Sequence, residues 1–284
     1  MARIIALSDL HLSPTHGFFW ENWRIARDFA NRAGAEAIIV NGDLCINGPD
    51  SDAEMAFAAT ALGRLNGVVL ALPGNHDVGD EPPGQDVRQI VDAERLARWT
   101  RAFGRDHFAL EIGGWWLIGL DAQLFGSGLA EEAMQNRRLD EQLRGAGGRP
   151  VALFLHKPLF AEHPHEREAT SATLQPVPRL ELLARLARAD VRLVVSGHLH
   201  QFRDRVIDGI RHLWLPAVAF RPTRPAGGDP RCGLAIIDFS DTGAKVQIEY
   251  PAGLVDHDLD AIKGHGRYRF LREMPPSPPP AELG

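Results

Sequence analysis

Cysteine and long hydrophobic runs are both scarce in this sequence. It has two cysteines, Cys45 and Cys232, which cannot form a disulfide framework, and free thiols are typical of a reducing compartment. The opening residues contain no long apolar stretch and no cleavage signature of a secretory signal. The apolar runs, such as 213–220, are far shorter than the roughly 20 residues that cross a bilayer. We therefore expect a soluble cytoplasmic protein with no membrane partner.

An excess of positive charge is missing as well. The chain has 31 Lys and Arg residues against 37 Asp and Glu residues, for a formal net charge of −6. Proteins that bind duplex nucleic acid usually carry the opposite balance, which argues against such a main partner. Apolar residues, in contrast, are plentiful. They make up 44% of the 284 residues, which is ample for a folded core at this length.

Short apolar runs alternate with helix-like segments over the first two thirds of the chain. The predicted strands are 3–7, 37–40, 68–72, 116–120, 151–155 and 193–195. The predicted helices are 20–33, 53–65, 88–103, 130–144 and 179–189. Runs that are apolar at nearly every position are typical of strands covered by helices on both faces of a sheet. The alternation predicts parallel strand pairing and the α/β class.

The last third of the chain changes character. Asp208-Gly209 lies between two apolar runs, and Asp-Gly in that position is a strong hairpin signal. The predicted hairpin strands are 204–207, 210–215, 233–238 and 245–250. We expect a parallel half followed by an antiparallel half, most simply as two sheets packed face to face. A single domain over 1–250 would be followed by an extension, 251–273, and a proline-rich disordered tail, 274–284.

Metal-capable side chains directly follow five of the predicted strands. They are Asp9 and His11 after the first strand, Asp43 after the second, Asn75, His76 and Asp77 after the third, His156 after the fifth, and His198 and His200 after the sixth. Groups at the carboxyl ends of strands in such a sheet converge on one crevice. We therefore expect these residues to meet at one place. Gly42, Gly74 and Gly197 stand beside them, where the backbone must turn sharply.

This set of side chains suits two divalent metal ions. Carboxylate, amide and neutral imidazole ligands favour Mn, Fe or Zn, and one aspartate can bridge a pair of ions. Asp9 and His11 are two residues apart, as are His198 and His200, so in extended backbone each pair shares one face. Two ions roughly 3.5–4 Å apart polarise a phosphoryl group and generate hydroxide at neutral pH. The pattern thus points to chemistry on a phosphate ester.

The order of these blocks resembles that of a known family. Asp-x-His, Gly-Asp, Gly-Asn-His-Asp, His and Gly-His-x-His follow one another over residues 8–200, as in the calcineurin-like binuclear metallophosphoesterases. The opening 8–12 is most similar to the bacterial cyclic-nucleotide phosphodiesterase branch, and Trp214-x-Pro216 near Phe220 is also similar to it. The resemblance implies a four-layer α/β/β/α sandwich of two mixed sheets flanked by helices. It also implies hydrolysis of small phosphodiesters, with a cyclic nucleotide as the leading example.

By the same resemblance, the two ions divide the residues between them. One ion would take Asp9, His11, Asp43 and His200, and the other would take Asp43, Asn75, His156 and His198. A hydroxide that bridges the ions would attack phosphorus in line with the leaving oxygen. His76 would contact the phosphoryl oxygen or the leaving group. Asp77 would orient the His76 imidazole, and a role as a helix cap is its alternative.

Two positions depart from the resemblance, and both concern the substrate. Lys157 stands where many relatives carry a second histidine, so an extra donor there would be an ammonium. Ala217 stands where the cyclic-nucleotide branch often has serine. His16, His163 and His165 lie in loops that could border the site, although a solvated position is the alternative for each.

Three other functions remain open from the sequence. A phosphomonoesterase or nucleotidase would use the same two ions. A nuclease would use them as well, although the net charge weighs against it. A non-catalytic scaffold for protein contacts is the alternative of another class, and the complete ligand set counts against it. Residues 251–273 could cover a partner subunit, so a homo-oligomer is compatible with the sequence.

Overall fold

Two stacked β-sheets form the middle of the molecule, with helices on their outer faces. The computed structural model describes residues 1–82, 89–262 and 277–279. The strands are β1 Ala2–Leu7, β2 Ala37–Asn41, β3 Val68–Leu72, β4 Phe108–Ile112, β5 Trp115–Leu120, β6 Val151–Leu155, β7 Val191–Ser196, β8 Arg203–Ile207, β9 Ile210–Trp214, β10 Leu234–Ser240 and β11 Gly243–Glu249. The helices are α1 Trp20–Arg32, α2 Asp52–Leu62, α3 Asn75–Val78, α4 Ala93–Phe103, α5 Ala130–Gly145, α6 Pro176–Leu186 and α7 Leu259–Ile262. Within these ranges no helix combines the length and the apolar character needed to span a membrane.

Both sheets are mixed. The first has the strand order β11-β10-β1-β2-β3, and the second has the order β4-β5-β6-β7-β9-β8. In the first sheet β1, β2 and β3 are parallel, while β10 is antiparallel to β1 and to β11. In the second sheet β5, β6, β7 and β9 are parallel, and the edge strands β4 and β8 are antiparallel to their neighbours. This is the α/β sandwich of two mixed sheets that the resemblance implies.

Alternating side chains of the strands fill three apolar layers. Ile4 of the first sheet and Phe154 of the second pack in the core between the sheets. Ile5 points the other way, into a cluster with α1, α2 and α4, and Leu153 packs with α5 and α6. Successive side chains of a strand face opposite sides, so both faces of each sheet are buried. Each large apolar side chain buried in this way contributes about 1.5–3 kcal/mol to folding.

The two predicted hairpins are present, but they do not form a separate antiparallel sheet. The hairpin of β8 and β9 extends the second sheet, because β9 is parallel to β7. The hairpin of β10 and β11 extends the first sheet, because β10 is antiparallel to β1. The expected order of a parallel half followed by an antiparallel half is therefore wrong. An isolated two-stranded ribbon is only marginally stable in water, so each hairpin gains by joining an existing sheet.

The sequence prediction also misses one strand and misplaces the starts of two helices. Strand β4 is half exposed, and the Gly113-Gly114 turn, with positive φ at both residues, folds it back onto β5. Helix α4 starts directly after its N-cap Asp92, and the predicted start at residue 88 lies outside the described residues. Helix α6 starts earlier than predicted, at Pro176, because the fixed φ of proline suits the first helical position.

The start of the predicted extension, 251–262, packs against the main body. His257 forms a β-bridge with Phe220. Leu259 of α7 joins Phe19 and Phe220 in a small apolar cluster that is separate from the larger layers. The extension therefore braces the chain around Phe220.

Three residues of the proline-rich tail are also placed. The Ser277 N–H donates to the Thr15 carbonyl oxygen at 2.9 Å, and Ser277 forms a parallel bridge with the loop after β1. Backbone pairing at Ser277 therefore holds the chain against that loop, and the disorder predicted for 274–284 stays a prediction. Residues 263–276 and 280–284 lie outside the described part of the chain.

Candidate metal centre

Two groups of potential metal ligands meet at the carboxyl ends of the strands, and Asp43 belongs to both. The first ligand group is Asp9, His11, Asp43 and His200, and the second ligand group is Asp43, His156 and His198. Within each group, one ligand atom of every side chain lies within 4.8 Å of the others. The first sheet supplies both aspartates and His11, and the second sheet supplies the other three histidines. Neither sheet could form either group alone.

The distances within the first ligand group match those of ligands on one ion. His200 Nε2 lies 3.2 Å from both Asp9 Oδ1 and His11 Nε2, and His11 Nε2 lies 3.8 Å from Asp43 Oδ2. Ligands about 2.1 Å from a shared ion, at angles of about 90–110°, lie about 3.0–3.4 Å apart. Asp9 Oδ1 is buried and accepts no hydrogen bond from any residue that the structure describes. A cation is the partner that fits this oxygen.

The second ligand group is built around Asp43 Oδ2. His156 Nε2 lies 3.2 Å from this oxygen and 4.0 Å from Asp9 Oδ1, so it faces both aspartates. The His198 and His156 rings meet edge to face, with their centroids 5.2 Å apart. His198 is only partly buried, whereas the other side chains of both groups are buried. The second ligand group is therefore the one nearer to solvent.

Asn75 lies against the shared aspartate. It is the first residue of α3 and is 2% exposed. The N–H of the next residue, His76, donates to Asp43 Oδ1 at 2.8 Å. A Cβ on the preceding residue, Gly74, would overlap the Asp43 carboxylate. The main chain on both sides of Asn75 thus contacts the ligand that the two groups share.

The backbone at the ligands adopts a rarely populated conformation. Six non-glycine residues in the described ranges have positive φ, and five of them are expected ligands: Asp9 at 56°, His11 at 45°, Asp43 at 53°, His198 at 69° and His200 at 53°. Asp and His tolerate this region better than most residues, yet each instance costs of order 1–3 kcal/mol. Such strain persists only where the surrounding structure imposes it, and its concentration at one edge marks a functional site.

Two glycines let the turns that carry the ligands approach one another. Gly42 has a φ of 92°, and a Cβ there would overlap the His156 ring. A Cβ on Gly197 would overlap the Ser8 hydroxyl and crowd the Asp9 carboxylate. Gly42 therefore makes the predicted sharp turn, whereas Gly197 allows the ends of β1 and β7 to come close together.

Backbone carbonyls fix the ring nitrogen that three of the histidines present to the site. The contacts, each 2.9 Å long, are His156 Nδ1 to the Asn41 oxygen, His200 Nδ1 to the Phe220 oxygen and His198 Nε2 to the Ser171 oxygen. Because a carbonyl can only accept, the contacting nitrogen carries the proton and the opposite nitrogen of a neutral ring keeps its lone pair. His156 and His200 thus offer Nε2, and His198 offers Nδ1.

The buried aspartates and histidines of the site shift one another's pKa values. Burial alone would raise the pKa of Asp9 and of Asp43, but the facing histidines outweigh it. They lower the pKa of Asp9 to about 2 and that of Asp43 well below its usual value. Burial would lower the pKa of His156, but Asp43 and Asp9 raise it to about 9. A proton or a metal ion can supply the positive charge that this contact needs.

The rings of His198 and His11 are neutral, because the pKa of each is lowered. Burial lowers the pKa of His198 to about 3, with the nearby His156 and Lys157 charges adding to it. Burial also holds the pKa of His11 well below its usual value. Since a histidine must be neutral to bind a metal, both rings are in the form that a ligand requires. The donor types of the site and the neutral His198 and His11 rings fit a metal ion.

His76 stands beside the first ligand group without belonging to it. Its ring meets the His11 ring edge to face, with centroids 4.7 Å apart. His76 Nδ1 lies 2.7 Å from the Ile46 carbonyl oxygen, to which its N–H donates. Nε2 is the other nitrogen of this ring, and an imidazole at this place could contact a phosphoryl oxygen.

The Asp77 carboxylate lies on backbone N–H groups rather than on the His76 imidazole. At 2.8–3.1 Å it accepts hydrogen bonds from the N–H groups of Leu44, Cys45 and Gly74. Burial and the nearby Asp43 raise the pKa of Asp77 to about 7, against the effect of these bonds. The expected orienting role of Asp77 stays a prediction. Asp77 ties the start of α3 to the turn after β2, which is closer to its alternative role as a helix cap.

Lys157 directs its ammonium at two carboxylates rather than at the ligands. Its Nζ lies 3.0 Å from Asp80 Oδ1 and 3.3 Å from Glu81 Oε1. Burial raises the pKa of Glu81 to about 7, and Lys157 opposes the shift. The ammonium is thus an internal ion-pair partner.

The loop histidines lie apart from the ligand groups. His163 and His165 are exposed in the loop between β6 and α6, and His16 is partly exposed. None of the three is in a ligand group among the described residues. Ala217 is fully buried. Contact of these histidines with a substrate stays a prediction.

Sequence reasoning misses residues that hold the ligands in place. Ser8 Oγ donates to Asp9 Oδ2 at 2.6 Å, and Asn41 Nδ2 donates to the Leu155 carbonyl at 3.0 Å, which links the two sheets. Both residues stand next to or near a ligand in the sequence, and that position is a usable signal. The carbonyl of Phe220 leaves no such signal, because every residue has a carbonyl.

Comparison with known proteins gives one family. The family model described as calcineurin-like phosphoesterase matches residues 2–202. The serine/threonine-protein phosphatase CPPED1 of Danio rerio is 33% identical over 249 residues, which cover 84% of this chain and 73% of that protein. The protein of the same name from Homo sapiens is 31% identical over 147 residues, which cover 50% of this chain and 44% of that protein.

Solved structures agree in fold. A dimetal phosphatase from Danio rerio has a TM-score of 0.59 and 14% identity, with 87% of this chain and 95% of that chain covered. The purple acid phosphatase PPD1 from yellow lupin has a TM-score of 0.63 and 12% identity, with 90% of this chain and 52% of that chain covered. At these identities the likeness concerns the fold alone. Together with the match over 2–202, it shows that this chain belongs to the calcineurin-like phosphoesterase family.

Proposed function

We propose that this phosphoesterase binds two metal ions, one at each ligand group, and hydrolyses phosphate esters there. The observation that carries the proposal is the sharing of Asp43 by two groups that both sheets complete. The first ion would be held by Asp9, His11, Asp43 and His200, and the second by Asp43, Asn75, His156 and His198. Asp9 Oδ1 is buried without a hydrogen bond among the described residues, and this oxygen and the strained ligand turns support binding of cations at these positions.

The chain's own residues would orient the substrate and handle the proton. Two bound ions of this kind polarise a phosphoryl group and lower the pKa of a bound water molecule. His76 Nε2 would donate a hydrogen bond or a proton to the phosphoryl oxygen or the leaving group, with its ring held by the Ile46 carbonyl. Asp77 would keep α3 against the turn that carries Asp43. Mn, Fe and Zn all suit the donor set.

A phosphate monoester is the substrate class that we favour. The relatives that match this chain are named serine/threonine-protein phosphatases, and phosphoserine and phosphothreonine are monoesters. The rings that resemble the cyclic-nucleotide branch offer little surface for a base to stack on. Trp214 is 2% exposed, with the guanidinium groups of Arg203 and Arg205 each 5.1 Å from its ring centroid, and Phe220 is 7% exposed.

Hydrolysis of small phosphodiesters is the second candidate, with cyclic nucleotides as the leading example. The opening Ser8-Asp9-Leu10-His11-Leu12 favours it, since this block is most similar to the cyclic-nucleotide branch. A nuclease, which is also a diesterase, is disfavoured by the net charge of −6. Both candidates use the same two ligand groups, so they differ in the substrate and not in the metal centre.

A substrate panel separates the two candidates. Purified protein loaded with Mn²⁺ is assayed on 4-nitrophenyl phosphate, a phosphoserine peptide, bis(4-nitrophenyl) phosphate and a cyclic nucleotide. We expect a higher kcat/KM for the two monoesters, and a strong preference for the two diesters would assign the second candidate instead. Asp43→Asn serves as the control, because it should abolish turnover of every substrate that the metal centre handles.

Two further properties stay predictions. Both cysteines are buried and unpaired, which supports the reducing, cytoplasmic location expected from the sequence. A homo-oligomer remains compatible with the chain, and size-exclusion chromatography with light scattering would measure its state directly.

A further inference from the structure

A buried charged triad adjoins the second ligand group. Lys157 directly follows His156, and its ammonium pairs with the carboxylates of Asp80 and Glu81, at 3.0 and 3.3 Å. All three residues are at most 1% exposed. None of them is in a ligand group among the described residues, so the proposed chemistry makes no direct use of them.

The triad joins the two sheets beside the second ligand group. Lys157 follows the end of β6 in the second sheet, directly after His156, whereas Asp80 and Glu81 follow α3 at the end of β3 in the first sheet. The Glu81 N–H also donates to the Gln123 side chain at 3.2 Å, in the turn after β5. The triad is therefore an ion-paired cross-link. It joins the segment after α3, the helix that begins at Asn75, to the strand end that carries His156.

We propose that this triad positions the second ligand group, so that its loss weakens binding of the second metal ion and leaves the first unaffected. The inference rests on the proposed two-ion function. Lys157, Asp80 and Glu81 are positioning residues, because they act through the ligands that flank them. A buried charge without its partner is very unfavourable, so the ion pairs hold the two loops at a fixed separation.

A purely stabilising role would give a different result. Replacing a complete buried ion-pair network by neutral groups of similar size often leaves stability unchanged or improved. Residues that support metal ligands, in contrast, typically change metal affinity by about 10–100-fold when they are replaced. Metal affinity and stability can therefore be separated by experiment.

The test measures Mn²⁺ binding to the metal-free, full-length protein by calorimetry and by the electron paramagnetic resonance signal of free Mn²⁺. The neutral triple variant combines Lys157→Met, Asp80→Asn and Glu81→Gln, which removes every charge of the triad at similar size. Glu81→Gln alone keeps the shorter Lys157–Asp80 pair. Arg185→Met is the matched control, because it breaks the ion pair with Asp140 between the outer helices α5 and α6.

We expect Arg185→Met to bind two ions, each with the same affinity as in the wild type. The neutral triple variant should bind the first ion as the wild type does and the second at least about 10-fold more weakly. Glu81→Gln should show a smaller loss in the same direction. In the neutral triple variant, the Mn²⁺ concentration for half-maximal turnover should rise, while kcat at saturating Mn²⁺ stays near that of the wild type.

Unchanged affinity for the second ion in Glu81→Gln and in a folded neutral triple variant would overturn the inference. If the triple variant does not fold, Glu81→Gln decides alone, and wild-type affinity there has the same meaning. A wild-type protein that takes up no second ion contradicts the proposed function itself, which distinguishes the failure of one proposal from the failure of the other.

Discussion

The two ligand groups differ in how they are enclosed. In the first, the His11 and His200 rings both pack against Phe220, with centroids 4.8 and 4.2 Å away. Phe220 in turn packs against Phe19, at 5.1 Å, and the extension after β11 braces both rings. In the second, His198 is partly exposed, and its ring contacts a carbonyl in the long loop between β6 and α6. One group has an apolar wall, and the other has a charged cross-link and an opening to solvent.

If each group binds an ion as proposed, this difference favours different roles for the two ions. An ion against a closed apolar wall has few paths for water to replace its ligands, so it should exchange slowly. An ion beside the partly exposed His198 can meet solvent and substrate directly. Asp43 belongs to both groups, so it would contact both proposed ions.

The largest expected effect comes from removing the ligand that the groups share. Asp43→Asn should weaken the binding of both ions at once. It should lower kcat by more than about 10³-fold, because two-ion catalysis loses charge stabilisation on both sides of the phosphoryl group. Metal content measured by mass spectrometry should fall from two ions to fewer than one. A variant that keeps two ions and wild-type turnover would show that Asp43 is not shared.

A second prediction concerns His76, which lies beside the first ligand group but is not one of its ligands. His76→Ala should retain both ions and lower kcat by at least about 10²-fold, as expected for loss of a general acid or a donor to the phosphoryl group. Metal content and the pH profile of kcat are the measurements. His107→Ala, which affects a partly buried histidine paired with Asp106, is the control. Equal activity of His76→Ala and the wild type would remove His76 from the mechanism.

A third prediction sets the two groups against each other. His198→Ala should weaken the second ion by at least about 10-fold and spare the first, whereas His200→Ala should weaken the first. In the wild type, dilute EDTA should strip one ion faster than the other, and the His198→Ala protein should lack the fast phase. Mn²⁺ release followed by electron paramagnetic resonance measures both. Loss of the fast phase in His200→Ala instead would show that the first ligand group, and not the second, holds the ion that exchanges faster.

The candidate ligands could be identified in the sequence because each one follows a predicted strand. A buried strand is visible as an apolar run, and in parallel pairing the residue after it lies at a known edge of the sheet. Asp9, Asp43 and His156 are examples, and the structure brings them within a few ångströms of one another. The alternation of Ile4 and Ile5 between two apolar layers likewise follows from the period of a strand.

The parts that were not predictable depend on contacts between distant segments. The Asp208-Gly209 turn identifies a hairpin, but which sheet the hairpin joins depends on the free edges that the rest of the chain leaves. The partner of His76 is the carbonyl of Ile46, 30 residues away in the sequence, and any residue type would supply that acceptor. The ion pair between Lys157 and Asp80 could not be predicted either, because Asp80 follows a strand of the other sheet.

The smallest effect on turnover is expected at Asp77, whose carboxylate accepts hydrogen bonds from backbone N–H groups. Asp77→Asn keeps one oxygen for the Leu44 and Cys45 N–H groups but sets an amide against the Gly74 N–H. Losing that bond in a buried position should cost about 1–3 kcal/mol of stability, measurable by denaturant unfolding. The kcat should change only a few-fold, since the Ile46 carbonyl still holds the His76 ring. A loss of kcat as large as that of His76→Ala, at unchanged stability, would show instead that Asp77 acts through the imidazole during turnover.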